Sequence, residues 1–465
     1  MRHSPGTMKL PLCLFLALAS LLPAQDQPKD PFVKDKQAAG AAAVPGEESI
    51  GRSFSSKPAA GGVPKNILCL VETFTLPQAD YAALLDAPGG RDKLHEHVLA
   101  AVKTGSAKLD GCHLITTQSG LRCSLESTDE LIYPTEWTAA DRTGFQYPTA
   151  FESRQLGDRF EFEPTLDVQS GAIGVTHSFS RDRFLGFRLY KADATLAGVP
   201  VMDLFERQGP SGCSVIPGVP ALLSTLNDAQ QGAITLVFAT LQVVTVAAPA
   251  PPAAKSTGNL ILTERLISLD RMKGWELLMK HGKDGAACLA ELKPLLASKE
   301  AVLEQIFTVC TRSGIRAAHA SGLLHAYGTE FSPPSEGAPA QPSTDPKKPG
   351  TPARAAGLAG TTAFENRNLG FRLEVEPIHN PENAYVDVTL APEYVHTTGP
   401  LKDKNWSEHY PEVPLFSIQT VTTGYTQVIG TTTLISTLNP PGDTGANEHK
   451  DEGRIWLLFM DVNLE

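Results

Sequence analysis

The feature that most constrains this chain is a repeat within itself. Residues 149–164 read TAFESRQLGDRFEFEP and residues 362–377 read TAFENRNLGFRLEVEP, identical at eleven of sixteen positions with no gap. Chance does not produce that agreement inside one chain, so a unit has been duplicated. The agreement runs in both directions. Upstream, TTQSGLR (116–122) answers CTRSGIR (310–316), and YPTEW (133–137) answers YGTEF (327–331). Downstream, LLSTLN (222–227) answers LISTLN (434–439), and each copy then closes on a strongly apolar strand, 233–244 and 454–465. Two copies of about 200 residues suit a chain of 465 residues, which is too long for one ordinary domain.

Each copy has the pattern of the α+β class with β dominant: two tandem β-rich modules, each a small helix-containing opening region followed by antiparallel strands. Residues 67–74 alternate and read as a strand. Residues 91–103 read as a helix with Leu94, Val98, Ala101 and Val102 on one face. In the second copy, Ser298 is placed to cap a helix, with Glu300 in its first turn and Val302, Leu303 and Ile306 packing inward. Apolar and polar residues then alternate, as in FEFEP, LEVEP, 385–390, 416–421 and 426–438, the period of half-buried strands.

The remaining segments punctuate the modules. Arg2, His3 and Lys9 precede an apolar run, 10–22, shorter than the about 20 helical residues that span a bilayer, so 1–24 reads as a signal peptide and the chain as exported. Residues 25–64 are rich in Ala, Gly, Pro and Ser and read as a disordered linker. Module 1 is then 65–246, an Ala/Pro linker 247–257, and module 2 258–465, with a Pro-rich loop at 332–360.

Chemistry is sparse. The net charge of −11 and the lack of any basic stripe exclude nucleic acid as a partner class, because phosphate binding draws on basic side chains. Cys69, Cys112, Cys123, Cys213, Cys288 and Cys310 do not recur between copies and form no CxxC, which argues against a shared disulfide framework or zinc site. Cys112 and Cys123 flank a strand-turn-strand segment, as a disulfide or as two buried thiols. Glu161/Glu163 and Glu374/Glu376 share a strand face, the spacing for acid–base or Ca²⁺ chemistry, but alternation with apolar partners reads better as a solvated face over a packed one. His95 and His97 sit two apart in a helix, a poor metal spacing. The serines of SGLR and SGIR are explained by tight turns. No catalytic residue, cofactor or metal is expected, and the chain reads as a non-enzyme. The candidate binding surface is aromatic: Tyr133, Trp137, Tyr327 and Phe331 stand at matching strand ends, available to a ligand or as core anchors.

The order of these motifs resembles the bacterial secretin homology region, in two degenerate tandem copies. Residues 107–109, 116–120 and 122–126 resemble the strand that leaves a small helical domain, turns at Ser-Gly and returns. Leu369-Gly370 with Leu373, Val375 and Pro377, and Leu156-Gly157 with Phe160, Phe162 and Pro164, resemble the family's Gly, alternating apolar and Pro pattern. Residues 386–392, then 416–434 with a turn at Gly430, and the closing RIWLLFMDV are similar to its later strands. Secretins are ring-forming outer-membrane channels of type II and III secretion and of type IV pili. No Val-Pro-x-Leu-Gly-x-x-Pro segment stands in this chain, and the loops that would hold it, 227–232 and 439–453, are short and polar. The resemblance therefore implies an exported periplasmic or outer-membrane-associated scaffold rather than a pore. Its implied partners are envelope proteins and its own copies, and it associates with the membrane without a transmembrane helix. The alternatives are a periplasmic carbohydrate- or peptide-binding protein working through the aromatic ends, and, further off, a hydrolase using the paired glutamates.

Overall fold

The computed structural model describes residues 63–139, 146–191, 198–228, 231–246, 258–333, 360–380, 384–401, 403–406, 410–440 and 453–465, all within one compact unit, Lys57–Glu465. The expected signal peptide, most of the first linker, the Ala/Pro linker and most of the Pro-rich loop lie outside the described residues.

The first copy runs β1 (Lys65–Pro77), α1 (Gln78–Asp86), α2 (Leu94–Thr104), β2 (Lys108–Gln118), β3 (Cys123–Trp137), β4 (Pro148–Leu166), β5 (Ile173–Tyr190), β6 (Val199–Val215), β7 (Ala221–Asp228) and β8 (Ala233–Thr245). The second repeats that order: β9 (Asn259–Asp270), α3 (Arg271–His281), α4 (Gly285–Ala297), β10 (Val302–Arg312), β11 (Ala317–Ser332), β12 (Gly360–Asn380), β13 (Tyr385–Pro400), β14 (Pro414–Val428), β15 (Thr432–Leu438) and β16 (Arg454–Leu464). This is the expected α+β class, antiparallel throughout its ladders.

The two copies do not build separate sheets. They share two eight-stranded sheets, ordered β10-β9-β16-β15-β2-β1-β8-β7 and β11-β12-β13-β14-β3-β4-β5-β6. One core fills the space between them, with Ile67, Val71, Leu241 and Leu458 from the first sheet meeting Phe160, Phe162, Leu373 and Val388 from the second. The helices lie on the other face of the first sheet, where Leu277, Leu278 and Leu292 meet Leu70, Leu114 and Leu457, and Leu94 and Val98 meet Phe74 and Phe238. Burial on both faces explains why β1, β8 and β16 are nearly continuous apolar runs. The second sheet alternates because one of its faces is solvated, as in Phe160-Glu161-Phe162-Glu163.

The repeated Ser-Gly turns have a repeated job. Gly120 (φ +80°) and Gly314 (φ +74°) take the left-handed conformation that favours glycine. Their N–H groups donate to Pro164 and Pro377 carbonyls at 2.7 and 2.8 Å. Ser119 Oγ accepts from the N–H of Leu166, and Ser313 Oγ from that of His379, both at 2.9 Å. The turn thus latches onto the end of the long strand beside it, which is why SG and the distant Pro recur together.

Two expectations need correction or a decision. No helix starts at Ser298. That residue is the C-cap of α4, its hydroxyl donating back to the Leu295 carbonyl at 3.2 Å, and the following segment is β10. Val302, Leu303 and Ile306 are 43–51% exposed rather than packed inward, because β10 is an edge strand. A run carrying Val302, Ile306, Thr308 and Val309 has the β-branched residues that fit a strand better than a helix. The helix expected at 91–103 does form, as α2, burying Leu94 and Val98. Cys112 and Cys123 are both free. Cys112 points into the helix-side core and Cys123 into the core between the sheets, so their sulfurs face different layers.

One buried charge stands out. Glu264 on β9 is 2% exposed, and neither carboxylate oxygen has a partner. The pairing register puts Val71 at the same place in the first copy. Burial pushes the Glu264 pKa from 4.5 up to about 8. The folded chain therefore holds a proton that the unfolded chain releases. That contribution to stability is fully present below pH 4.5 and is lost as the pH rises through about 8. Glu264→Val, which imports the first copy's residue, should raise the melting temperature, and by more above pH 8 than near pH 4.5, in paired thermal unfolding curves. A constant difference across that range would contradict this account.

Candidate functional site

The junction between the copies is the most informative contact in the molecule. Within each sheet the copies stand head to tail: corresponding strands follow in the same order, so the β14–β15 side of the second copy meets the β2–β3 side of the first. In one sheet, β14 pairs with β3 in continuous register from Leu415↔Leu131 to Thr422↔Ser124. In the other, β15 and β2 share a single bridging pair, Ser436↔Ile115. Side chains complete that seam. Thr437 Oγ1 accepts from the Leu114 N–H (2.8 Å) and donates to the Cys112 carbonyl (2.9 Å). Asn439 accepts from the Cys112 N–H (3.1 Å) and donates to the same carbonyl (2.7 Å). Ser436 Oγ donates to the Leu114 carbonyl at 2.9 Å. All three residues are buried, so these bonds satisfy backbone groups that the short ladder leaves open.

Further ties cross the seam. Buried Glu72 on β1 accepts from Trp275 Nε1 of α3 at 2.6 Å and lies 2.9 Å from His95 Nε2. Asn66 exchanges two hydrogen bonds with the Thr426 backbone, at 2.7 and 3.0 Å.

A head-to-tail arrangement leaves two outer sides that correspond to the two sides already joined. Among the described residues, β6 and β7 form one outer side and β10 and β11 the other; β11 also curls to a single bridging pair with β4, Glu330↔Ala150. β7 carries the same Ser-Thr-Leu-Asn as β15. There Thr225 and Asn227, which match Thr437 and Asn439, are exposed. On β10, the register matches Ile306 to Cys112 and Thr308 to Leu114. The opposite sides also expose apolar side chains: Val302, Leu303 and Ile306 on β10, and Leu323 and Leu324, 65% and 61% exposed, on β11. Exposed apolar strand edges are docking surfaces by default.

The residues expected from sequence fall as follows. Tyr133, Trp137, Tyr327 and Phe331 are all half-buried and already engaged. Tyr327 donates to Glu365 (3.0 Å) and packs on Phe416 (5.3 Å between ring centroids). Tyr133 reaches Glu152 at 3.5 Å, Trp137 stands edge-on to Tyr410 at 5.4 Å, and Phe331 to Phe151 at 5.3 Å. Phe331 lies where β11 meets β4, and a run of ring contacts through Phe151, Trp406 and Tyr410 links it to Trp137. Glu161 is ion-paired with Arg122, and the matching Glu374 with Arg372 (2.5 Å) and Arg316 (3.8 Å), so the glutamates hold the SGLR and SGIR arginines on the solvated face. His95 faces Glu72, and His97 Nε2 has no partner. Among the described residues no group of three or more His, Cys, Asp or Glu side chains is placed to hold a metal ion, and no helix is long and apolar enough to cross a membrane. The Ser-Thr-x-Asn row was in plain view as a repeated motif; its identical polar residues within an apolar context were the signal that it does work at an edge.

No protein-family model matches the chain, and no curated protein matches it. Among solved structures, it is similar to the Salmonella SPI-1 type III secretion injectisome secretin InvG, at 11% identity and a TM-score of 0.20, over 50% of this chain and 74% of that one. It is likewise similar to a chain in an atomic model of the basal body proteins InvG, PrgH and PrgK, at 11% identity and a TM-score of 0.20, over 50% of this chain and 52% of that one.

The seam makes a paired prediction. Asn439→Ala leaves the buried Cys112 N–H without an acceptor, while Thr437 still serves the carbonyl, and should cost about 1–3 kcal/mol in chemical denaturation. Asn227→Ala, at the matching exposed place, should stay within about 0.5 kcal/mol of the parent. Equal costs at both positions would remove the distinction between the joined and the open side.

Proposed function

We propose that this protein is a non-catalytic, exported scaffold of the cell envelope whose copies join head to tail, β6–β7 of one against β10–β11 of the next. The observation that carries the reading is the repeated row: Thr437 and Asn439 clamp β2 inside the chain, while Thr225 and Asn227 carry the same groups on an open edge, where Asn227 Oδ1 accepts an exposed 3.3 Å bond from Gln78. A contact between unlike sides repeats until it closes a ring or grows a filament. The exposed Val302, Leu303 and Ile306 support an apolar seam on the receiving side. The signal-like residues 1–24 and the ordered resemblance to the secretin homology region support an envelope location, in the periplasm or against the outer membrane, and other envelope proteins as further partners.

Light scattering and negative-stain imaging of the purified chain test this directly. Rings or filaments are expected, and Thr225→Ala with Asn227→Ala on one edge, or Ile306→Asp on the other, should shift the population to monomer with an unchanged circular dichroism spectrum. A parent chain that stays monomeric at its solubility limit would overturn the proposal. Cell fractionation that finds the protein in the cytosol would overturn the envelope assignment separately.

A further inference from the structure

The copies differ most at one place in the core between the sheets. In the second copy the place is aromatic: Phe307 stacks on Phe371 (4.6 Å between centroids), and Tyr394 stands edge-on to Trp456 (4.9 Å). The pairing registers put His113, Asp158, Arg181 and Thr235 at those four positions in the first copy. Apolar packing has been exchanged for charge, and the exchange leaves a cavity of about 250 Å³.

Most of the charge there is already satisfied. Arg181 makes a two-pronged bond to Asp158 (2.5 and 2.7 Å) and reaches Asp110 (3.2 Å) and Thr73 (3.2 Å). Burial works to raise the Asp158 pKa, but the charge and hydrogen bonds of Arg181, with help from His113, hold the carboxyl well below its usual range. Asp182 is taken up by Arg159, from outside the cavity lining, at 2.6 Å. Arg183 is 3.7 Å from Asp228.

The buried Nε of Arg183 has no acceptor, and two further arginines on the wall share that lack. Arg271, the first residue of α3, reaches in from the second copy. It is 6% exposed and its Nη1 donates to the Asp110 carbonyl at 2.6 Å, but its Nε and Nη2 have no acceptor. Arg207 on β6 also has a buried Nε without an acceptor. Burial lowers the pKa of both guanidinium groups; at Arg271 the carboxylates of Asp110 and Asp158 oppose it, and at Arg207 the Arg181 charge adds to it while Asp228 and Asp158 oppose it. Buried donors without partners are costly, by an amount that a bound acceptor would offset. The position of Arg207 in the second copy is Gln419, so this arginine is particular to the first copy.

We infer that this cavity is a binding site for a small oxyanion of the phosphate class, held by Arg271 and Arg207 and framed by the Arg181–Asp158 pair. Guanidinium groups present N–H donors in a planar fork that matches phosphate oxygens. The space suits a free ion, which displaces a few waters of about 30 Å³ each. Because Arg271 comes from the second copy and Arg207 from the first, the bound ion would also tie the modules together.

Isothermal titration of the full purified chain with inorganic phosphate in a chloride buffer tests the site. Saturable binding of one phosphate per chain is expected, with a rise in melting temperature. Arg207→Gln, which imports the second copy's residue, should weaken it at least about tenfold while leaving the melting temperature in chloride near that of the parent. Arg271→Gln should do the same to binding; because it also loses the Asp110 bond, Arg207→Gln alone decides the matter should that variant unfold. Phosphate acting no differently from added chloride would overturn the inference, as would an Arg207→Gln chain that binds like the parent. Binding to phosphatidylglycerol vesicles without binding of free phosphate would also overturn it, since the source would then be a lipid surface.

Discussion

The rest of the architecture depends on a seam in which side chains do the work of a backbone ladder. β15 is only seven residues long and shares one bridging pair with β2. Thr437 and Asn439 supply what the strand cannot, reaching the backbone of Cys112 and Leu114. With that seam and the β14–β3 ladder in place, four four-stranded halves become two continuous eight-stranded sheets. Without it, each half would expose the edges it now hides, which is the aggregation hazard that every open sheet carries.

Head-to-tail joining has a consequence that a face-to-face dimer would not. Each joined side has an unjoined counterpart on the same molecule, with the same strands in the same order. Duplication within one chain has therefore built one instance of a contact whose two sides recur, unjoined, at the outer strands of the same sheets. The second sheet shows the same tendency, since β11 curls back until Glu330 meets Ala150 on β4. The aromatic strand ends gather around that closure, where Phe331 meets Phe151 and Tyr327 meets Phe416.

The copies kept their turns and bulges and changed their cores. Both break register at corresponding bulges, between Leu222 and Ser224 and between Leu434 and Ser436. Both make the same Gly turn, Gly218 and Gly430 each donating at 2.7 Å to the carbonyl of a matching strand residue, Leu241 and Val462. Backbone geometry is unforgiving at such points, so sequence is held there. Core positions tolerate replacement as sets, provided that volume is filled or polar groups are satisfied. That is how His113, Asp158 and Arg181 can stand where Phe307, Phe371 and Tyr394 stand in the other copy; Glu264, without a partner where the first copy has Val71, is the exception.

By itself the sequence determined the duplication, the β-dominant class, α2, and the Ser-Gly and Gly430 turns, because those features are local. Periodicity, left-handed glycines and capping act over a few residues and leave a readable mark. It also marked β8 and β16 as strongly apolar strands, whereas β1, which reads as alternating, is buried on both faces because the helix layer covers it. β10 has a helix-like sequence because an edge strand with one exposed apolar face offers several residues at spacings that a helix also satisfies. Only the tertiary structure decided that the copies share sheets, that the Ser-Thr-x-Asn row clamps a neighbour on β15 and stands open on β7, and that Arg271 crosses into the first copy's cavity. Those facts depend on pairs more than a hundred residues apart in the chain. Their energies come from burial and from donors meeting acceptors across the seam, which no local pattern of residues records.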